Sequence, residues 1–176
     1  TGPRLTTSRC VTLLPLCDVG VSNPLCMLFI EDVIAVFAAM RPGGFDAMVG
    51  NPPYLGGQRI TGALGTQYRD YLVNHIAGGM RGSADLVAYF FLHCHSLLRN
   101  DGMYGLLGVN TIAEGDTRAV GLEQLLSARG ATIVAAYPNE AWPGSAAVVT
   151  SRVHLNKGVW RGKVTLNGDL VNFVSA

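Results

Sequence analysis

Apolar positions fall into two patterns along this chain: unbroken short runs, and runs spaced three and four apart. Phe45–Gly50 is a short, nearly continuous apolar run that ends in glycine and two prolines. Such a run predicts a central strand buried on both faces, with Asp46 the exception near its start. Leu86, Val87, Tyr89, Phe90, Phe91, Leu92, Leu97 and Leu98 make residues 85–98 apolar almost all round, as a helix buried against a sheet should be. Ser83 predicts its N-cap, with Asp85 in the first turn, and Asn100-Asp101-Gly102 its stop. Residues 102–109 form the next continuous run. Strand, helix and buried strand together predict a βαβ unit with parallel pairing.

The remaining pattern fills in around that unit. Tyr68, Tyr71, Leu72, His75 and Ile76 have helical spacing, ended by Gly78-Gly79. Residues 118–129 predict an amphipathic helix with Val120, Leu122, Leu125 and Leu126 inward and Gly130 as cap. Residues 55–66, with Gly56, Gly57, Gly62, Gly65 and Arg59, read as a mobile surface loop. Residues 131–137 and 146–155 predict two antiparallel strands, and 159–174 a further hairpin turning at Asn167-Gly168. Upstream, residues 10–14 and 26–30 read as strands and 32–40 as a short helix. Pro15, Asp18, Asn23, Pro24, Glu31 and Asp32 break the apolar stretch from Cys10 to Met40, so no window reaches the roughly 18 apolar residues of a membrane span.

Candidate chemistry sits where the first strong strand stops, at Asn51-Pro52-Pro53-Tyr54. Each proline fixes φ and lacks an N–H, so the chain can neither extend the strand nor start a helix there. Asn51 and Pro52 each precede a proline and are held extended. The Asn51 side-chain oxygen and a neighbouring carbonyl can accept two hydrogen bonds from one NH2 group, and Tyr54 offers a ring face. A flat, amine-bearing ligand fits that description; a stiff surface turn is the plain alternative.

Asn51-Pro52-Pro53-Tyr54 resembles the catalytic motif of class I, S-adenosylmethionine-dependent adenine-N6 DNA methyltransferases. The longer stretch from Gly44-Phe45-Asp46 through Gly56-Gly57-Gln58 and Gly82-Ser83-Ala84-Asp85-Leu86 to Asn110-Thr111-Ile112 is similar to the methylase part of large bacterial restriction–modification polypeptides. The resemblance covers about residues 43 to 160. It implies an α/β, partial Rossmann-like class I methyltransferase fold, mostly parallel, with an antiparallel hairpin of two strands finishing one sheet edge. It implies S-adenosyl-L-methionine as cofactor, double-stranded DNA as partner, with other parts of a restriction–modification polypeptide, and direct transfer of methyl to the N6 of a flipped adenine. Asn51, Pro52, Pro53 and Tyr54 are then catalytic. Tyr54 and Trp142 (which precedes Pro143) are the base-binding aromatics, and Asn51 also faces the cofactor. Asn110-Thr111 is expected beside the Asn51 turn.

The resemblance implies three parts: residues 1–42 as a degenerate or truncated N-terminal part, 43–158 as the catalytic half, and 159–176 as a C-terminal hairpin or extension. Upstream of the turn there is no Gly-x-Gly to bring backbone close to a cofactor; Asp18-Val19-Gly20 is a faint echo. Glu31 or Asp32 could bind a ribose, although a charged helix start explains them as well.

Composition changes this picture in two places. The 176 residues are 49% hydrophobic and 14% charged, which suits a packed domain and not a disordered chain. Thirteen basic residues against twelve acidic ones give a net charge of +1, so no global field draws nucleic acid in. Cys10, Cys17, Cys26 and Cys94 lack Cys-x-x-Cys spacing and read as reduced thiols of a cytoplasmic protein. His93 and His95 flank Cys94, but neighbours two apart on a helix do not share a face, so no metal site is expected.

Two other functions stay open at this level. Protein glutamine-N5 methyltransferases carry a similar Asn-Pro-Pro-Tyr and handle the same kind of planar NH2 group. The Leu55-Gly56-Gly57-Gln58 continuation and Trp142-Pro143 favour DNA. A non-catalytic fragment lacking the cofactor site is the third reading, which S-adenosylmethionine binding would discriminate.

Overall fold

The computed structural model describes residues 10–13, 43–141 and 149–176, the first of these by backbone alone. The predicted elements at 26–30 and 32–40, the Glu31/Asp32 pair and Trp142-Pro143 lie outside the described residues.

Among the described residues seven strands form one sheet in the order β1-β2-β3-β5-β4-β6-β7. These are β1 Cys10–Leu13, β2 Phe45–Gly50, β3 Leu98–Val109, β4 Ala131–Ala141, β5 Val149–Lys157, β6 Val164–Leu166 and β7 Asp169–Val171. β1, β2 and β3 run parallel, with Gly50 opposite Leu13 on one side and Leu106 on the other. β5 enters antiparallel between β3 and β4, and β6 pairs parallel with β4. The α/β class and the βαβ unit are as expected; β2 lies inside the sheet between two parallel neighbours, one strand in from the β1 edge. The β4–β5 pair is antiparallel as expected but does not finish the edge. The β6–β7 hairpin adds two strands beyond it, turning at Asn167 (φ 54) and Gly168 (φ 89), both in the left-handed region that a two-residue Asn-Gly turn needs.

The longer helices among the described residues are α1 Gly57–Leu64, α2 (residues 66–76), α3 Leu86–Leu97 and α4 (residues 115–128). α2 begins as Thr66–Tyr71 and widens through Leu72–Ile76, where the Ala77 N–H reaches back five residues to the Leu72 carbonyl at 2.9 Å. α4 has the same construction, with a wide stretch at Ala119–Glu123 between Gly115–Arg118 and Gln124–Ala128. Gly121 there faces α3, and a methyl group added to it would lie 3.1 Å from the Ala88 side chain, a tight contact that glycine avoids.

α3 is the pillar of the core. Leu86, Val87, Ala88, Tyr89, Phe90, Phe91, Leu92 and Cys94 are all buried, and they pack with Met48, Tyr104, Leu106, Val153 and Leu155 from the sheet. At about 25 cal/mol per Å² of apolar surface removed from water, such a helix supplies a large share of the stability.

Three local expectations fail. The 55–66 segment is not an open loop: it folds as α1 because Ile60 finds a fully buried seat and pins one face, while Gly65 (φ 87) breaks the chain into α2. α3 is capped by Asp85 and not by Ser83; the Asp85 carboxylate accepts the Val87 N–H at 3.0 Å. Asp and Ser are equally good caps, and the apolar face begins only at Leu86. Lastly, β2 is not buried on both faces. Phe45 and Met48 are buried, but Val49 is 54% exposed. Asp46 is paired with Arg99 at 2.5 Å across the strand starts. No helix among the described residues is long and apolar enough to cross a membrane.

Candidate active site

The parallel strands deliver their carboxyl ends to one edge of the sheet, the edge at which α/β folds collect their ligands. β2 stops there at Gly50, and Asn51, Pro52, Pro53 and Tyr54 follow without regular structure. Pro52 is buried; Asn51, Pro53 and Tyr54 are half-buried, so the turn sits in the protein surface with its functional groups reachable. The Tyr54 hydroxyl donates a hydrogen bond to Asn51 Oδ1. That bond fixes which end of the Asn51 amide is the acceptor, and it leaves the second lone pair of Oδ1 for another donor. Burial, and then the nearby Asp85 charge, push the Tyr54 phenol up to about 12. Tyr54 therefore stays protonated at neutral pH and remains a donor.

Immediately after the turn the backbone is clamped. The Leu55 N–H donates to Asp85 Oδ1 at 3.3 Å, and the Leu55 carbonyl accepts the Leu86 N–H at 2.9 Å. Gly57 lies against the Ser83–Ala84 backbone so closely that an added Cβ would overlap the Ser83 carbonyl. Arg69 from α2 straddles the junction, donating to the Gly57 carbonyl at 3.2 Å and to the Gly82 carbonyl. From the other side Asp116 accepts the Ser83 N–H at 2.6 Å, and Thr117 Oγ1 accepts the Asp85 N–H at 3.0 Å. Residues 82–86 are thus a hub under the turn. Asp85 is itself buried, and burial raises its pKa against the opposing pull of the Val87 and Leu55 N–H groups.

Asn110 directly follows β3 at the same edge, four residues beyond the level of Gly50. It is tied to its own surroundings: Nδ2 donates to Glu114 Oε1 at 3.2 Å, and Oδ1 accepts from Ser151 Oγ at 3.4 Å. The Cys94 neighbourhood serves packing. Cys94 is a fully buried thiol pushed up to about 12 by burial, and His95 Nε2 bonds the Arg129 carbonyl at 3.0 Å. In the sequence Asp85 offers no more than a dipole role, and Arg69 does not stand out. A carboxylate directly before an apolar helix was the available signal for the first; the second has no local signature.

A mostly parallel α/β sheet with one antiparallel strand slotted in before its last parallel neighbours, and an amide-bearing turn at its carboxyl edge, defines the class I methyltransferase fold. A putative class I S-adenosylmethionine-dependent methyltransferase from Listeria monocytogenes superposes on it with a TM-score of 0.55 over 92% of this chain and 59% of that one, at 10% identity. The type IIL restriction-modification enzyme MmeI, solved in complex with DNA, gives a TM-score of 0.57 at 20% identity, over 75% of this chain and 18% of that one. The chain belongs to the Eco57I restriction-modification methylase family, whose model matches residues 25–129. No curated protein matches it. The chain spans less than two thirds of either structural relative, and under a fifth of MmeI.

Proposed function

We propose that this chain forms the amine-binding half of an adenine-N6 DNA methyltransferase in a restriction–modification system. Within that reading residues 43–158 are the catalytic half and the β6–β7 hairpin is an extension of it. The observation that carries the reading is the half-buried Asn51–Tyr54 pair, hydrogen-bonded at the carboxyl edge of the central parallel strand.

An adenine amine is a weak nucleophile because its lone pair is delocalised into the ring. Asn51 Oδ1, with one lone pair on the Tyr54 hydroxyl and one free, accepts one amine hydrogen; the Pro52 carbonyl accepts the other. Drawing on both hydrogens favours a more tetrahedral nitrogen and aims its lone pair, and positioning of this kind can supply several kcal/mol. The Tyr54 ring covers one face of the extruded base, and Trp142 is the candidate for the other. S-adenosyl-L-methionine supplies an electrophilic methyl group when bound. Asn51 is the side chain of the turn assigned to face it, and no Gly-x-Gly precedes β2 in the sequence. The contribution argued from the described residues is on the acceptor side. The methylated nitrogen is left cationic and releases one hydrogen to water after transfer, so neither a covalent intermediate nor a base acting ahead of transfer is required.

The test is methyl transfer from labelled S-adenosylmethionine by the intact protein, with duplex DNA and a release-factor protein as competing acceptors, followed by nucleoside analysis. N6-methyladenine is expected. Asn51→Ala should lose about 10²-fold or more in kcat with its melting temperature unchanged. Tyr54→Phe should lose only about fivefold, one net hydrogen bond of ~1 kcal/mol, and Tyr54→Ala far more. Methylated protein in place of DNA, or full activity in Asn51→Ala, refutes the assignment.

A further inference from the structure

We infer that Asp85 is a positioning residue that sets where the Asn51–Tyr54 turn stands, by holding Leu55 against the start of α3. The inference rests on the proposed methyl-transfer function and extends it to a residue that touches neither base nor cofactor. Capping α3 needs only the bond from the Val87 N–H to Asp85 Oδ1. The same oxygen also takes the Leu55 N–H, thirty residues upstream and adjacent to Tyr54. The Leu86 N–H closes the ring by donating back to the Leu55 carbonyl. Two hydrogen bonds, one to the Asp85 carboxylate and one backbone to backbone, thus join the residue after the turn to the start of α3.

Asp85 is anchored in its turn from the neighbouring crossover. Its N–H donates to the buried Thr117 hydroxyl in the first turn of α4, the segment that follows the carboxyl end of β3. One residue therefore couples the turn after β2, through its side chain, to the segment after β3, through its backbone N–H, with α3 as the rigid stop. Val87 alone explains a cap. The Leu55 bond is what a cap does not explain, and its place in the chain directs its effect to Tyr54 and Asn51.

The experiment compares Asp85→Ala and Asp85→Asn with Leu126→Ala, a destabilising change on α4 remote from the turn, all in the intact protein. Asp85→Ala should lower kcat about 10²-fold, the order expected for a displacement of about 1 Å at the reacting group. KM for S-adenosylmethionine should stay within about twofold, and the Leu55 amide should exchange faster. Asp85→Asn, which keeps an oxygen facing Leu55, should recover at least tenfold of the lost kcat. Leu126→Ala should lower the melting temperature with kcat retained. Equal kcat in Asp85→Ala and wild type, or no rescue by Asp85→Asn, overturns the inference. If the wild-type protein methylates no DNA, the proposed function fails first, and hydrogen exchange then judges the tether: faster exchange at Leu55 in Asp85→Ala upholds it, unchanged exchange overturns it.

Discussion

Replacing Gly57 by alanine should disable the site while leaving the sheet standing. The hydrogen that Gly57 carries in place of a side chain faces the backbone of the hub. A methyl group there would overlap the Ser83 carbonyl and lie 2.5 Å from the Ala84 oxygen. Ordinary carbon contacts begin near 3.5 Å, so one backbone must retreat by roughly 1 Å. The Ser83–Ala84 side is held by Asp116, Thr117 and α3, and the Gly57 side by Arg69 and Ile60; neither moves cheaply. Overpacking of this kind costs about 1–3 kcal/mol, offset by up to ~1 kcal/mol from the better helix propensity of alanine. A net loss of about 1–2 kcal/mol corresponds to a fall in melting temperature of roughly 2–8 °C for a domain of this size. The larger effect is on chemistry: three residues from Tyr54, the displacement should cost about 10²-fold in kcat. Scanning calorimetry and single-turnover methyl transfer measure the two parts. Gly56→Ala is the control, because an added methyl there meets nothing within 4 Å. Unchanged kcat and melting temperature in Gly57→Ala, or equal losses in both variants, would refute the close-packing argument.

Other expectations follow from the same structure. Gly62→Ala, on the exposed face of α1 with open space around it, should stabilise by about 0.4–1 kcal/mol in a thermal melt. Leu92→Ala, at a fully buried position in α3, should cost about 2–5 kcal/mol in urea unfolding, with the slope against denaturant unchanged. Gly168→Ala forces an L side chain to φ 89 in the β6–β7 turn and should cost about 1 kcal/mol or more. Acid titration of stability bears on Asp85. Burial raises its folded-state pKa above 3.8, so the folded chain binds that proton more tightly than the unfolded one. From that group alone, stability falls as pH rises from 3.8 through the raised value, and it is highest below 3.8. Asp85→Asn should flatten this slope; an identical slope in wild type and variant would contradict it.

Much of this architecture was legible because continuous and three-four-spaced apolar runs report burial directly. β2, α3, β3 and the Asn167-Gly168 turn were all readable in that way, and the family resemblance rested on the same stretch. What escaped depends on contacts between distant segments. α1 is glycine-rich and weakly patterned; only the pocket that receives Ile60 makes it helical. Asp85 outcompeted Ser83 as cap because Leu55 and Val87 share its oxygen, a fact no local window contains. Val49 looked like core from its neighbours and is exposed because exposure is decided by what covers a strand, not by the strand. At the site, Asn51 and Tyr54 were singled out from residue chemistry, and the structure brings them into one hydrogen bond. Trp142 lies outside the described residues, and Asn110 reaches the right edge but is engaged by Ser151 and Glu114.

The slot that β5 fills has a consequence for how the chain is made. β3 and β4 share no ladder; each bonds only to β5 on the side where they face one another. As the polypeptide leaves the ribosome, the parallel trio and α3 can assemble early, but β4 and everything docked on it wait for residues 149–157. Contacts that join segments so far apart in the chain slow folding, so synthesis halted before Val149 should yield a sheet that stops at β3 with a raw, unpaired margin.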